Sequence, residues 1–338
     1  MRILIVEVNW LGDVLFSTPA IKALREKFPD SFIACLAVPR VREVLENNPC
    51  VNEIITNDED GSYRGFWGRM KLAAQLRKKD FDLAIFFHRS FSRALTVYLS
   101  GVPRRVGYHT PKRALLLNDA LPMPQKDSLH RVDYYLGIVK RLGCGIQDRN
   151  YEFFTSRNDD IFIEHFLAEE GIHNEDFLVC LNAGGNWGPK RWPQENFAKL
   201  ADRLIEEYNA KVVFSGSKED VGLVKAISGA MAHKPVIAAG KTSLSQLAAL
   251  FRKVQLVVSA DSGPLHIAAS VGANLIALFG PTSAPVTGPV GKGAIRVIQK
   301  DISCTVPCYD KNCDDNKCMR EITVDDVLSE VKKLSIKK

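Results

Sequence analysis

The stretch LVVSADSGPLHIAASVGANLIALFGPTS, residues 256–283, decides the fold. Two apolar runs, 256–258 and 275–279, enclose a polar knot of Asp261, Ser262, Gly263 and Pro264, followed by Leu265 and His266. Runs that are apolar at every position read as strands buried on both faces, as in a parallel sheet. Between them, Gly263 permits a sharp turn and Pro264 suits the first position of a helix. The N–H groups at that helix start would face whatever lies beyond the strand end, and their partial positive charge suits a phosphate. Ser262 can add a donor, and His266, one turn in, can donate to a phosphate oxygen. Asp261 either holds a ribose hydroxyl or caps the helix. Without a ligand, the same residues read as a capped short helix with a packed histidine.

Working outward, the alternation covers the chain. Strands are predicted at 2–8, 31–38, 53–56, 81–87 and 104–108, with helices at 14–28, 41–47, 66–79, 92–100 and 128–142. A second set has strands at 177–184, 211–217, 235–240, 255–260 and 274–280, and helices at 194–209, 220–232, 243–254 and 264–271. Strands alternating with helices predict parallel sheets covered on both faces, hence two doubly wound α/β domains. Residues 151–177 are charged and less regular, which places the junction near 155–175. The expected division is 1–160, then 161–322, then a C-terminal helix at 323–338 able to pack back toward the first domain. Thr323 can cap that helix and Asp326 suits its first turn.

The 338 residues, 46% hydrophobic and 25% charged, are ordinary for globular domains, and the length favours two. No apolar run approaches the roughly eighteen residues of a membrane span. The opening MRILIVEV is short for a signal peptide and Glu7 interrupts it, so a cytosolic protein is expected. Cys304, Cys308, Cys313 and Cys318 cluster as C-x3-C-x4-C-x4-C, either a metal set or a loop of reduced thiols. The net charge of +6 is uneven: residues 1–150 hold 23 Lys and Arg against 16 Asp and Glu, the remainder 22 against 23. Between His88 and Asn118 there is no acid, but there are Arg89, Arg93, Arg104, Arg105, Lys112 and Arg113. Such a run either attracts a phosphate-rich partner or is balanced by acids from elsewhere in the fold.

In open α/β sheets, ligands bind beyond the carboxyl ends of the strands, so the other strand-end loops matter most. NAGGNWGPKRWPQENF, residues 182–197, sets Gly184, Gly185 and Gly188 after a strand and Lys190 and Arg191 beyond them. A diphosphate needs such a loop with a cation, although a plain turn with surface cations has the same composition. Neither G-x-G-x-x-G nor G-x4-G-K-[ST] occurs, so neither a Rossmann dinucleotide site nor a P-loop is supported. EVNWLGDVLFSTPA, residues 7–20, places Asp13 at a helix start, as a cap or, if it faces a cleft, a general base. FSGSKED, with Gly216, Glu219 and Asp220, can meet a ribose; GKTSLSQ, with Thr242, Ser243 and Leu244, can bracket a nucleobase; both also read as helix caps. Asp58, Glu59 and Asp60 form a D-x-D in a polar loop and read as a solvated turn. G-x-S-x-G is absent.

Taken in order, MRILIVEVNWLGDVLFSTPAIKALRE, NAGGNWGPKRWPQENFAKLADRL, VFSGSKED and SADSGPLHIAASVGANLIALFGPTSAPVTGP resemble the ADP-heptose:lipopolysaccharide heptosyltransferases, glycosyltransferase family 9. The cysteine-bearing segment CTVPCYDKNCDDNKCMREITVDDVL is similar to the C-terminal region of many members. The likeness is strongest over 177–290, strong over 1–29 and weak over 57–170.

The resemblance implies a GT-B fold, two Rossmann-like domains facing a central cleft. It implies inverting transfer without a metal or other cofactor, from ADP-heptose to a lipopolysaccharide core acceptor, at the cytoplasmic face of the inner membrane. A peripheral monomer that binds no nucleic acid is expected. At matching positions Asp13 is the base, Lys190 the diphosphate cation, and Asp261, Ser262, Gly263, Pro264 and His266 the nucleotide-phosphate loop. Gly216, Glu219, Asp220, Thr242, Ser243 and Leu244 are the expected ribose and base contacts. Asn9, Trp10, Gly12, Arg89, Arg93, Arg105, Lys112 and Arg113 are the expected acceptor contacts. Competing readings are a transferase of another nucleotide sugar, a sugar-nucleotide epimerase, and a non-catalytic nucleotide- or lipopolysaccharide-binding module.

Overall fold

The computed structural model describes residues 1–334. Its chain forms two compact units that divide between Phe154 and Thr155. In the first unit the order is β1 (Arg2–Val6), α1 (Leu11–Lys27), β2 (Phe32–Ala37), α2 (Arg42–Glu46), β3 (Glu53–Thr56), α3 (Gly65–Arg77), β4 (Leu83–Phe86), α4 (Phe91–Leu99), β5 (Arg104–Tyr108), β6 (Asp119–Leu121) and α5 (Arg131–Lys140). The second unit opens with α6 (Arg157–Glu169), β7 (Leu178–Asn182), α7 (Gln194–Tyr208), β8 (Lys211–Ser215), α8 (Val221–Gly229), β9 (Val236–Ile237) and α9 (Leu244–Lys253). It continues with β10 (Leu256–Ala260), α10 (Gly263–Ser270), β11 (Leu275–Phe279), α11 (Ala284–Thr287), β12 (Ile295–Gln299), α12 (Lys317–Arg320) and α13 (Val324–Lys333).

Each unit has a six-stranded, all-parallel sheet, in the orders β3-β2-β1-β4-β5-β6 and β12-β11-β10-β7-β8-β9. In both, the direction of winding reverses once, between β1 and β4 and between β7 and β10. These reversals are the topological switch points, where the loops beyond two neighbouring strands part and leave a crevice. The central strands β7, β10 and β11 are buried at every residue, as their mainly apolar sequences require.

α1 contains Pro19, which cannot donate to the carbonyl of Leu15. The Thr18 hydroxyl donates to that carbonyl instead, at 2.8 Å, so the helix continues past the proline. The charged segment before β7 is more regular than its composition suggests. Ser156 and Asp159 form a capping box at the start of α6, and Ile163, Phe166 and Leu167 make its buried face. Arg252 and Lys253 at the end of α9 pair with Asp160 and Glu164 at 2.6 and 2.7 Å, which ties α6 to the second unit. The break therefore falls at 154/155, earlier than the expected 160/161.

The last helix starts as expected, with Thr323 and Asp326 as a capping box. It packs within the second unit. Val327, Leu328 and Val331 lie in the core of the second unit together with Trp192 and Met319. The buried Trp192 indole N–H donates to the carbonyl of Ile322 at 2.8 Å, fixing the approach to α13. The end of the expected helix, from 335 on, lies outside the described residues. Because Leu328 is 2% exposed, Leu328→Ala should lower unfolding free energy by about 2–5 kcal/mol, measured by urea titration of the full chain.

Candidate active site

The second unit builds its site on strand register. Asn182 ends β7 opposite Ser259 of β10 and Ser215 of β8. One row of pleated residues therefore brings three polar side chains together in a buried position. The Ser215 hydroxyl donates to Asn182 Oδ1 at 3.2 Å, and Asn182 Nδ2 donates to Ser259 Oγ at 3.1 Å and reaches Ser262 Oγ at 3.4 Å. Buried amides and hydroxyls hold a fixed geometry when they satisfy one another. This network anchors the loop after β10.

That anchoring leaves the start of α10 without a side-chain cap. Ser262, its N-cap residue, is extended and its hydroxyl makes no cap hydrogen bond. Asp261 does not cap the helix either. Its carboxylate is 5% exposed and accepts from Lys190 Nζ and Thr282 Oγ1, each at 2.7 Å. His266 Nε2 lies 3.5 Å from the other carboxylate oxygen. Burial alone would raise the Asp261 pKa, but the His266 hydrogen bond and the Lys190 charge outweigh it and hold the carboxyl well below its ordinary range. Lys190, reaching in from the loop after β7, is thereby fixed across the switch point beside the first turn of α10. Its ammonium also sits 5.4 Å from the Trp187 ring centroid.

The other expected donor contacts divide. Asp220 accepts from the N–H and hydroxyl of Ser217 at 2.9 and 2.7 Å and approaches Arg191 at 3.9 Å. A Cβ on Gly184 would lie 2.3 Å from the Asp220 carboxylate, and one on Gly216 would press on Asp220 Cβ at 3.0 Å. The two glycines thus admit Asp220 into the loop cluster, and that aspartate closes a turn. Ser243 forms a capping box with Gln246 at the start of α9, beside half-buried Thr242 and Leu244. Glu219 is exposed.

In the first unit, the loop after β1 leads into the first turn of α1, where half-buried Asp13 lies. The Tyr135 hydroxyl donates to Asp13 Oδ1 at 3.5 Å. Behind it stands Glu7, fully buried, near the hydroxyl of Ser17 at 3.2 Å and accepting from the Val8 N–H at 3.2 Å. Burial, reinforced by the Asp13 charge, pushes the Glu7 carboxyl up to about 8. The fold therefore keeps a neutral carboxylic acid behind Asp13 at neutral pH.

Across the switch point, the loop after β4 supplies His88. Burial and the neighbouring Arg93 push its imidazole down to about 4, so it is neutral. Its Nδ1 accepts from the Ser90 N–H at 3.0 Å, which leaves the ring proton on Nε2. Neither Glu7 nor His88 was expected as a site residue. Both occupy the strand ends that the switch-point rule singles out, so the signal was available.

The basic run divides: Arg93 and Arg113 are buried, Arg105 is half-buried, and Arg89, Arg104 and Lys112 are exposed. Arg93 is 3% exposed, forms a two-point pair with Glu59 at 2.8 Å, and donates to the Glu7 carbonyl at 2.8 Å. Arg113 is 1% exposed and donates to the carbonyls of His88 and Tyr108. Arg105 donates to the carbonyls of Leu116, Val102 and Pro103. A guanidinium carries five donors in a rigid fork, which suits bracing loop carbonyls as well as binding anions. Arg89 and Lys112 remain exposed. Asn9 presents its carbonyl to Arg40, whose guanidinium also covers the Trp10 ring at 4.5 Å, and Gly12 lies half-buried in α1. Among the described residues, the cysteines are free and no three His, Cys, Asp or Glu side chains gather as a metal-holding set.

A family model, glycosyltransferase family 9 (heptosyltransferase), matches residues 69–319, well over half the chain. The chain belongs to this family. Lipopolysaccharide heptosyltransferase 2 of Escherichia coli is 28% identical over 310 residues, 88% of each chain. Two solved structures match nearly end to end. A family 9 glycosyltransferase from Veillonella parvula has a TM-score of 0.89 at 26% identity, over 98% of this chain and 96% of its own. The ADP-heptose lps heptosyltransferase II of E. coli has a TM-score of 0.82 at 28% identity, over 99% and 98%. The GT-B-like α/β fold and the standing as a glycosyltransferase follow.

Glu7 carries a pH signature. Its folded pKa, about 8, lies above the ordinary value of 4.5, so between the two the folded state holds a proton that the unfolded chain releases. The stabilisation is complete below the unfolded value and is lost as pH rises through the folded one. The slope is at most about 1.4 kcal/mol per pH unit. Glu7→Gln should flatten the stability profile between pH 5 and 8, read by thermal melts across that window.

Proposed function

We propose that this glycosyltransferase moves a heptose from ADP-heptose to the inner core of lipopolysaccharide, with inversion and without a metal. The observation that supports this reading most is Lys190, held by Asp261 beside the uncapped start of α10 at the switch point of the second unit. A cation and free amides at that place suit a nucleotide diphosphate. The names of the relatives supply the sugar and the acceptor class.

In this reading Asp13 takes the proton from an acceptor hydroxyl as its oxygen attacks the anomeric carbon. One carbon–oxygen bond forms while the bond to the diphosphate breaks on the opposite side, which inverts the centre. Negative charge grows on the departing ADP, and Lys190 with the α10 amides stabilises it where it develops. Asp261 keeps the ammonium in place and His266 steadies Asp261. Glu219 is the exposed carboxylate left for the ribose; Gly216, Thr242, Ser243 and Leu244 shape its surroundings. On the acceptor side, Arg89 and Lys112 are the exposed cations offered to phosphates and acidic sugars. The protein works as a monomer at the inner face of the membrane without crossing it; among the described residues no helix is long and apolar enough to span one.

Asp13→Ala should abolish transfer and leave ADP binding within about twofold, read by mass analysis of truncated cores and by calorimetry; turnover near wild type would remove Asp13 as the base. Lys190→Ala should weaken ADP binding by about tenfold or more, in line with loss of a charge-assisted contact. Activity should persist in EDTA, and its complete loss on chelation would overturn the metal-free scheme.

A further inference from the structure

α3 follows the carboxyl end of β3, at the sheet edge from which the loops after β1 and β4 also emerge. Its first turn exposes two large aromatics side by side, Phe66 at 65% and Trp67 at 81%. Their rings meet edge to face at 5.2 Å, while the opposite helix face, with Leu72 and Leu76, is packed into the core of the first unit. The turn that presents them is held firmly. Asp58 accepts from the N–H groups of Gly61 and Ser62 at 3.0 and 2.8 Å, and the Tyr63 hydroxyl donates to Gln75 at 2.5 Å.

The charge around the aromatics has one sign. From 61 to 79 there is no acid, and six cations are present: Arg64, Arg69, Lys71, Arg77, Lys78 and Lys79. Lys79 pairs with Glu53 and Arg77 donates to the Leu99 carbonyl. Arg64, Arg69, Lys71 and Lys78 form no ion pair among the described residues. Of the three acids just before, Asp58 closes the turn and Glu59 is paired with Arg93, leaving Asp60. Exposed Phe and Trp on a helix rimmed by Lys and Arg suit the boundary between acyl chains and anionic headgroups.

We propose that the first turn of α3 docks the protein on an anionic bilayer, with Phe66 and Trp67 entering the interface and Arg64, Arg69 and Lys71 meeting lipid phosphates. Docking there puts the bilayer on the same edge of the first unit's sheet as Asp13. The proposal goes beyond the transfer reaction and is tested without it.

The full chain is sedimented with phosphatidylcholine vesicles, with and without phosphatidylglycerol. Binding is expected only to the anionic vesicles and should weaken with salt, each basic residue near the surface contributing about fivefold. Phe66→Ser with Trp67→Ser should lower partitioning about tenfold or more, while Trp67→Phe retains it. An unchanged circular dichroism spectrum and unchanged ADP affinity show that the double variant is folded. A water-soluble core oligosaccharide should be used as well by the double variant as by wild type. Equal binding to neutral and anionic vesicles, no binding by wild type, or unaltered binding by the double variant would each overturn the proposal. So would wild-type self-association by ultracentrifugation that the double variant abolishes. Vesicle binding that persists in a chain with no transferase activity would count against the reaction and leave the docking intact.

Discussion

The strand-end loops of the second unit depend on one ion pair, Lys190 with the buried Asp261. A carboxylate that is 5% exposed is costly to bury, and its cost is offset only where good partners meet it. Here Lys190 and Thr282 donate to one oxygen and His266 lies beside the other. Each of the three partners comes from a different strand-end segment: after β7, after β11 and within α10. The pair therefore joins the loops on both sides of the switch point. In the proposed reading it also accounts for an aspartate in a phosphate site: the carboxylate would repel phosphate, but it fixes the cation that would attract it.

The polar row beneath follows from sheet geometry. Parallel register brings Asn182, Ser215 and Ser259 to one level, and their hydrogen bonds draw in Ser262. A serine occupied in that way does not cap α10. The helix start is left open by the needs of the sheet below it, and packing and binding chemistry become the same constraint.

Much of this was legible in the sequence, for a physical reason. Strands buried on both faces must be largely apolar, so Leu178–Asn182, Leu256–Ala260 and Leu275–Phe279 fall inside the runs expected at 177–184, 255–260 and 274–280. α6 was missed because its charges obscured a legible pattern, a Ser156–Asp159 capping box followed by Ile163, Phe166 and Leu167. β12 was missed because it is an edge strand with exposed Arg296 and Val297. In the site, Lys190 and Asp261 could be named from their loops, but they lie 71 positions apart, and their mutual contact depends on the fold of the chain between them. The basic run shows a different limit. A count of cations registers charge and is blind to backbone carbonyls, and carbonyls are what Arg105 and Arg113 bind.

The proposed reaction raises the last question, how Asp13, a carboxylate at a helix start, would serve as its base. A helix N-terminus in general lowers the proton affinity of a nearby carboxylate. A charged Glu7 would restore it, but burial holds Glu7 neutral, so Asp13 has no second negative charge close behind it. The resolution lies in the acceptor. A free hydroxyl is a very weak acid, yet its oxygen becomes strongly acidic as the new bond to the anomeric carbon forms. A base of modest strength is then sufficient, provided that it is already placed and ionised when the bond forms. The first turn of α1 places Asp13 in advance for that role in the proposed reaction.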